Sequence, residues 1–347
     1  MLAPGGRRRR GRALAVAGGA LLAAALAGVA VGAVGLPFGG VVSSLLAHVG
    51  VHVGTPLPPV EDAILVQWRL PRVVLSALVG GVLALAGASY QGVFRNPLAD
   101  PYLLGAAAGA GLGATVMIGW GPTQLGPLGT VPAAAFVGSL TGVGLAYALG
   151  SVASRQGGGS ATLLLAGVAV SSFLTAGQSL AQQAHAEDLR QIYSWIMGQL
   201  GTAQWSDVVL VLPYMAVSVT VLLVSGPVLD VLAVGDDEAA TLGVRPRRVR
   251  LVVLLAASLG TASAVAVSGL IGFVGLVVPH VVRRLAGASY RTVLPVSLVG
   301  GAAFLVLADL VARTALAPAE LPIGVVTAFV GAPFFAALLR AGGGRAR

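Results

Sequence analysis

This sequence reads as an all-α polytopic membrane protein of ten spans. Of its 347 residues, 56% are hydrophobic and only 10% charged, with a mean hydropathy of +0.92. A soluble domain carries about 25% charged residues, so this composition suits lipid as the solvent. Apolar runs recur at the roughly 20-residue length that a bilayer crossing needs. The arginines fall mostly on one side of those runs, as the positive-inside rule requires.

The first run, Ala13 to Leu36, follows Arg7–Arg10 and Arg12. At 24 residues it exceeds the 7–15 of a signal-peptide core. It is therefore read as a span entering from a basic cytoplasmic segment, residues 1–12. Pro37 to Gln67 contains Pro56, Pro58, Pro59, Glu61 and Asp62, and reads as a polar-facing loop with one short interfacial helix. Nine more apolar runs lie near 70–90, 101–120, 131–150, 161–183, 207–229, 249–268, 271–285, 293–313 and 322–340. The whole chain, 1–347, is thus expected to be one transmembrane domain with both termini on the cytoplasmic side.

Arginine placement tests that topology. The chain has 21 arginines and no lysine. With the N-terminus inside, 17 of them face the cytoplasm, and Arg69, Arg72, Arg190 and Arg313 are left outside. Trp68, Trp120, Trp195 and Trp205 all fall at predicted outer ends or loops, which suits an interfacial aromatic belt. Scattered singly and in pairs between apolar runs, the arginines do not form a phosphate-binding face, so nucleic acid is not an expected partner.

Composition also excludes chemistry. Without cysteine there are no disulfides or thiolate sites. Without lysine there is no standard phosphate loop, so any ATPase must be a separate chain. Gly109 to Ala114 mimics part of a dinucleotide fingerprint, but no strand precedes it. Gly105, Gly109 and Gly113 instead repeat at the four-residue spacing of close helix packing. Asp309 is the one good intramembrane carboxylate, and Arg313 four residues on can pair with it along a helix face. His280 has no second ligand nearby, so no metal site is expected there. No catalytic set and no cofactor is expected in this chain.

The segment 231–248 is the most informative connector. Asp236 and Asp237 suit a helix N-terminus, Gly243 a stop, and Pro246 forbids continuation. A short surface helix between two spans is shaped to dock a partner.

Several motifs together resemble one family. Arg69-Leu70-Pro71-Arg72, then Asn96-Pro97-Leu98-Ala99-Asp100-Pro101, are followed by Leu163 to Val168 and by Asp188 to Gly198. Glu238-Ala239-Ala240 to Leu242-Gly243, Gly272 to His280, Ala308-Asp309 to Arg313 and Ala319 to Phe334 complete the series. In order and spacing these resemble the permeases of ATP-driven importers for iron–siderophore, haem or vitamin B12. The resemblance runs from Arg69 onward. It implies a ten-helix permease with an inverted internal repeat, paired with a second permease in the cell membrane. Two ATPase subunits would bind the coupling helices, and an extracytoplasmic binding protein would deliver substrate.

By resemblance, Asp236, Asp237, Glu238, Ala239, Ala240, Leu242 and Gly243 form the ATPase-coupling segment. Asn96, Leu98, Ser160 and Ala161 lie near a cytoplasmic gate, and Ala161 departs from the polar residue the family suggests. Arg69, Arg72 and Arg313 would form an outer rim that receives carboxylates of the binding protein. A ferric siderophore ranks first as cargo, then haem, with cobalamin as the alternative. An ion-coupled secondary transporter is the competing class, and it lacks a midplane ion site here.

Overall fold

The computed structural model describes residues 4–32, 35–122, 129–154 and 160–343. Among them the elements are helices: α1 (Pro4–Ala30), α2 (Phe38–His48), α3 (Pro59–Ile64), α4 (Leu70–Phe94), α5 (Ala106–Trp120), α6 (Thr130–Ser154) and α7 (Ser160–Ala184). Then follow α8 (Leu189–Ile196), α9 (Trp205–Val224), α10 (Gly226–Leu232), α11 (Asp236–Thr241), α12 (Pro246–Ser268), α13 (Val274–Ala286), α14 (Tyr290–Thr314) and α15 (Ile323–Gly343).

Among the described residues, seven helical runs are long and apolar enough to cross a membrane: those of α1, α4, α6, α7, α9, α12 and α14. The other three of the predicted ten correspond to α5, α13 and α15. Length alone does not make these spans, since α5 has 15 residues and α13 only 13. At 1.5 Å per residue, α13 rises about 20 Å, short of a ~30 Å hydrocarbon core.

The Pro37–Gln67 stretch differs from the expected loop. It holds α2 and α3, and α3 runs through a π turn at Leu65–Arg69 directly into α4. Pro58 and Pro59 explain the start, since Pro59 stands at the first helical position, where a missing N–H costs nothing. The run predicted at 207–229 is also divided. α9 ends at Val224, and α10 begins at Gly226 with Pro227 in its first turn.

Buried along most of its length, α4 is the axis of the molecule. It packs on α14, α12, α13 and α9. Its crossing with α14 falls at Gly80 and Gly301, where a Cβ on either would collide with the other's carbonyl. The predicted glycine repeat serves α5 in the same way: Gly109 meets Gly138 of α6 backbone to backbone. Small residues allow this approach where lipid gives helices no hydrophobic reason to associate.

The short α13 is preceded by a non-helical stretch that is covered by protein. Gly269 and Phe273 both have φ of +68°, and Ile271 between them is buried. Irregular backbone survives at membrane depth only when its polar groups find partners. Here the Tyr102 hydroxyl supplies them, donating to Ile271 O at 3.1 Å and accepting from Ile271 N at 3.2 Å. Nearby, Gln199 N donates to Ser268 O at 2.9 Å and Gly324 N to Met197 O at 3.0 Å.

Candidate functional site

Charged clusters stand at both ends of α4. At its N-terminal end, Arg72 lies beside Asp309 of α14. The Arg72 Nε donates to both Asp309 oxygens at 3.0 Å, and Nη2 to Oδ1 at 2.9 Å. The outer edge of the same guanidinium grips Glu320, with Nη1 to Oε1 at 2.8 Å and Nη2 to Oε2 at 2.9 Å. One planar fork thus serves two carboxylates, a task for which arginine and not lysine is shaped. The Asp309 side chain is 2% exposed and that of Glu320 46%. The hydrogen bond from Arg72 holds the Glu320 carboxyl below the usual carboxylate range, against the opposing effect of its partial burial.

Arg313 sits one turn after Asp309, with Nε 3.7 Å from Asp309 Oδ2, an ion pair beyond hydrogen-bond distance. The expected i,i+4 contact is therefore present, but Arg72 makes the closer one. Arg313 Nη2 reaches Gly28 O, while Arg69 Nη1 donates to Val29 O at 2.8 Å and Ala30 O at 2.7 Å. These carbonyls close α1, where the last C=O groups lack helical partners and the dipole is negative. The family resemblance grouped Arg69, Arg72 and Arg313 as an outer rim. The structure does bring them together, but each is buried, at 6%, 9% and 7% exposure, and engaged within the chain. Sequence reasoning placed Glu320 within a family motif but did not pair it with Arg72. Beyond that motif, its signal was an acid in a short loop between two apolar runs.

At the other end of α4, Arg95 adopts φ +50° and points Nη2 at Asp236 of α11. Arg250 of α12 meets the same carboxylate, Nη1 to Oδ2 at 2.8 Å and Nη2 to Oδ1 at 2.6 Å. The bonded Arg250 holds the Asp236 carboxyl below its usual range, outweighing desolvation. Three elements are tied at one carboxylate. Sequence reasoning placed Asp236 at a helix N-terminus, and it does open α11. The arginine partners were not foreseen.

α11 closes as its sequence suggests. Gly243, at φ +79°, donates to Ala240 O at 3.0 Å, and Val244 N to Ala239 O at 3.0 Å. This is a Schellman cap, for which a glycine is suited. Pro246 does not end α11 but opens α12. Ala239 is buried, while Asp237, Glu238, Ala240, Leu242 and Gly243 are exposed, leaving a free face on a braced helix.

Beside Arg95, the Asn96 side-chain Oδ1 accepts from Leu98 N at 2.9 Å, fixing an Asx turn in which Leu98 is exposed. Ser160 and Ala161 open α7, but their side chains fall outside the described part, as do residues 155–159 with the Gly157-Gly158-Gly159 run. His280 packs edge-on against Phe334 and accepts from Arg284 Nε at 3.1 Å.

The model of the FecCD transport family matches residues 20–341. The chain belongs to the FecCD transport family. A Bacillus subtilis ABC transporter permease, YvrB, is 44% identical over 81% of this chain and 80% of its own length. The Halobacterium salinarum cobalamin import permease BtuC is 44% identical over 82% and 75%, and the Yersinia pestis hemin permease HmuU 42% identical over 77% and 80%. A solved structure assigned to the metal-chelate type of ABC transporter, in an inward-facing conformation, superposes with a TM-score of 0.80 at 32% identity. That match covers 94% of this chain and 98% of the other. The FecCD chain described here is therefore a multi-pass ABC permease, in a family that handles iron chelates, haem or cobalamin.

Proposed function

We propose that this chain is the permease of an ATP-driven, binding-protein-dependent importer for a large iron chelate, with a ferric siderophore first and haem next. Two permeases would form the pathway in the cell membrane, with two ATPase subunits on the cytoplasmic side. The observation that carries this reading is α11, an exposed six-residue helix braced by Arg95 and Arg250 between two apolar segments. A helix held this firmly, with one face open, is what a coupling contact to an ATPase needs. The arginine bias favours placing α11, Asn96, Leu98, Ser160 and Ala161 on the cytoplasmic side, with both termini there.

The cluster of Arg69, Arg72 and Arg313 then faces outward as the seat for the binding protein. Its arginines are prepaid by internal partners, so docking would work by exchange. An incoming carboxylate would take the outer fork of Arg72 as half-exposed Glu320 turns away. Contacts of this kind act chiefly on association rate and salt sensitivity. Raised salt should slow capture of the loaded binding protein, and Glu320→Gln should speed it. Capture that ignores both would remove this cluster from the docking surface. Arg69→Glu is a poorer test, because it also strips the carbonyls of Val29 and Ala30.

Cobalamin is the second cargo reading, favoured by the 44% identity to the cobalamin permease. Uptake into vesicles holding the reconstituted importer, with its own binding protein and ATPase, separates the three cargoes. ATP-dependent accumulation of cobalamin but not of ferric siderophore or haem would overturn the first reading.

A further inference from the structure

A cleft of about 580 Å³ opens between α1, α13 and α14, away from both charged clusters. Three helix faces make its walls. Val16 and Ala20 lie one turn apart on α1, Val277 and Val281 on α13, and Gly300 and Phe304 on α14. Residues four apart share a helix face, so each helix turns one apolar stripe into the cleft. Arg9 and Arg12, on the same side of α1, line one end, and no carboxylate lines the cleft to neutralise them. From Arg9 to Ala20, α1 rises about 16 Å, roughly half of a ~30 Å hydrocarbon core. The cleft thus matches the depth of one leaflet, is apolar from Ala13 to Ala20 along α1, and is cationic only at the end where Arg9 and Arg12 stand.

We propose that this cleft binds an anionic phospholipid, one acyl chain along the stripes and the phosphate on Arg9 and Arg12. Charge decides between occupants. A second copy of the chain would have to bring an acid to two arginines at the edge of the membrane, where this sequence is rich in arginine. Free phosphate would use the arginines but leave the valine and phenylalanine walls uncovered. An anionic lipid satisfies both ends at once, and basic pockets between spanning helices are suited to such headgroups. The site lies on the wall of the permease, distinct from the coupling helix and the Arg72 cluster.

The experiment uses the full chain in nanodiscs of equimolar phosphatidylglycerol and phosphatidylcholine, with the lipid retained after detergent extraction measured by mass spectrometry. The unaltered chain should retain phosphatidylglycerol over phosphatidylcholine by roughly 30-fold, given two arginines near the surface. Arg9→Gln with Arg12→Gln should abolish that preference while some lipid of either kind remains. Gly300→Leu, which fills the cleft without touching the arginines, should lower retention of both lipids. Equal retention of the two lipids by the unaltered chain overturns the proposal, whatever the variants do. So does an unchanged preference in the arginine double variant, or release of the phosphatidylglycerol by millimolar inorganic phosphate alone.

Discussion

Asp309 is the residue on which the Arg72 end of the molecule turns, since it faces two arginines and has almost no access to water. Removing one partner of a buried pair leaves an uncompensated charge and costs about 3–5 kcal/mol. Asp309→Asn should therefore lower the thermal midpoint of the detergent-solubilised protein sharply. Glu320→Gln, at a half-exposed site, should cost about 1 kcal/mol or less. Equal losses would show that the buried charge of Asp309 is not what fixes this end. Acid gives a second measurement at the opposite end. Asp236 is held below its usual range, so its stabilising contribution is complete above the unfolded value of about 3.9 and is lost only as pH falls through the lower folded one. Amide exchange in α11 should thus be alike at pH 8 and pH 5 once corrected for intrinsic rates. Loosening already at pH 6 would mean that Asp236 is not the anchor. At this scale the sequence was partly legible. Asp309 and Arg313 are one turn apart, and a helix period pairs them. Arg72 and Asp309 are 237 positions apart, and no local pattern links them.

Among the elements, α11 was the easiest to read and α13 the hardest. The acids, the glycine and the proline around α11 act through the backbone of their own turn, so short-range rules suffice. α13 was visible as a short apolar run. Its left-handed entry at Phe273 was not, because it depends on Tyr102, which reaches Ile271 from 169 positions away. The Pro37–Gln67 stretch misled for a related reason. Its prolines and acids look like loop residues, yet Pro59, Glu61 and Asp62 all suit the first turn of a helix, and that helix continues into α4. The prediction at this scale concerns α11. Ala240→Pro should cost roughly 3 kcal/mol of local helix stability and uncouple it from its cap at Gly243. Membrane insertion should survive, since Ala240 is exposed, while ATP-dependent uptake should fall. Normal uptake by an inserted variant would take the coupling role away from this helix.

For the whole molecule, the main feature is that α4 joins the two clusters. It carries Arg72 near one end and is followed by Arg95 at the other, each bonded to an acid from a distant part of the chain. Any influence of a docked binding protein on an ATPase must be reciprocal in binding free energy, and it needs a packed route between the ends. α4 with the helices around it is such a route. Its joint to α13 is polar and specific. The Gln91 amide of α4 donates to Gly275 O at 3.0 Å and accepts from Arg283 Nη1 at 2.5 Å. Gln91 is 1% exposed, so water cannot readily make up for its lost bonds. Gln91→Leu keeps the volume close while removing both bonds, and it leaves the Arg283 guanidinium with an unpaired, part-buried edge. The expected loss of stability is about 1–3 kcal/mol from the unmet polar groups. The larger effect should be on coordination between the ends. Basal ATPase activity of the complex should persist, while its stimulation by loaded binding protein should fall severalfold. Binding-protein affinity should also lose its dependence on the nucleotide state. Full stimulation in a folded Gln91→Leu complex would show that the two ends communicate without the polar bonds of the α4–α13 joint, leaving the backbone contacts of Gly87 with Gly275 and of Gly80 with Gly301 to carry the coupling.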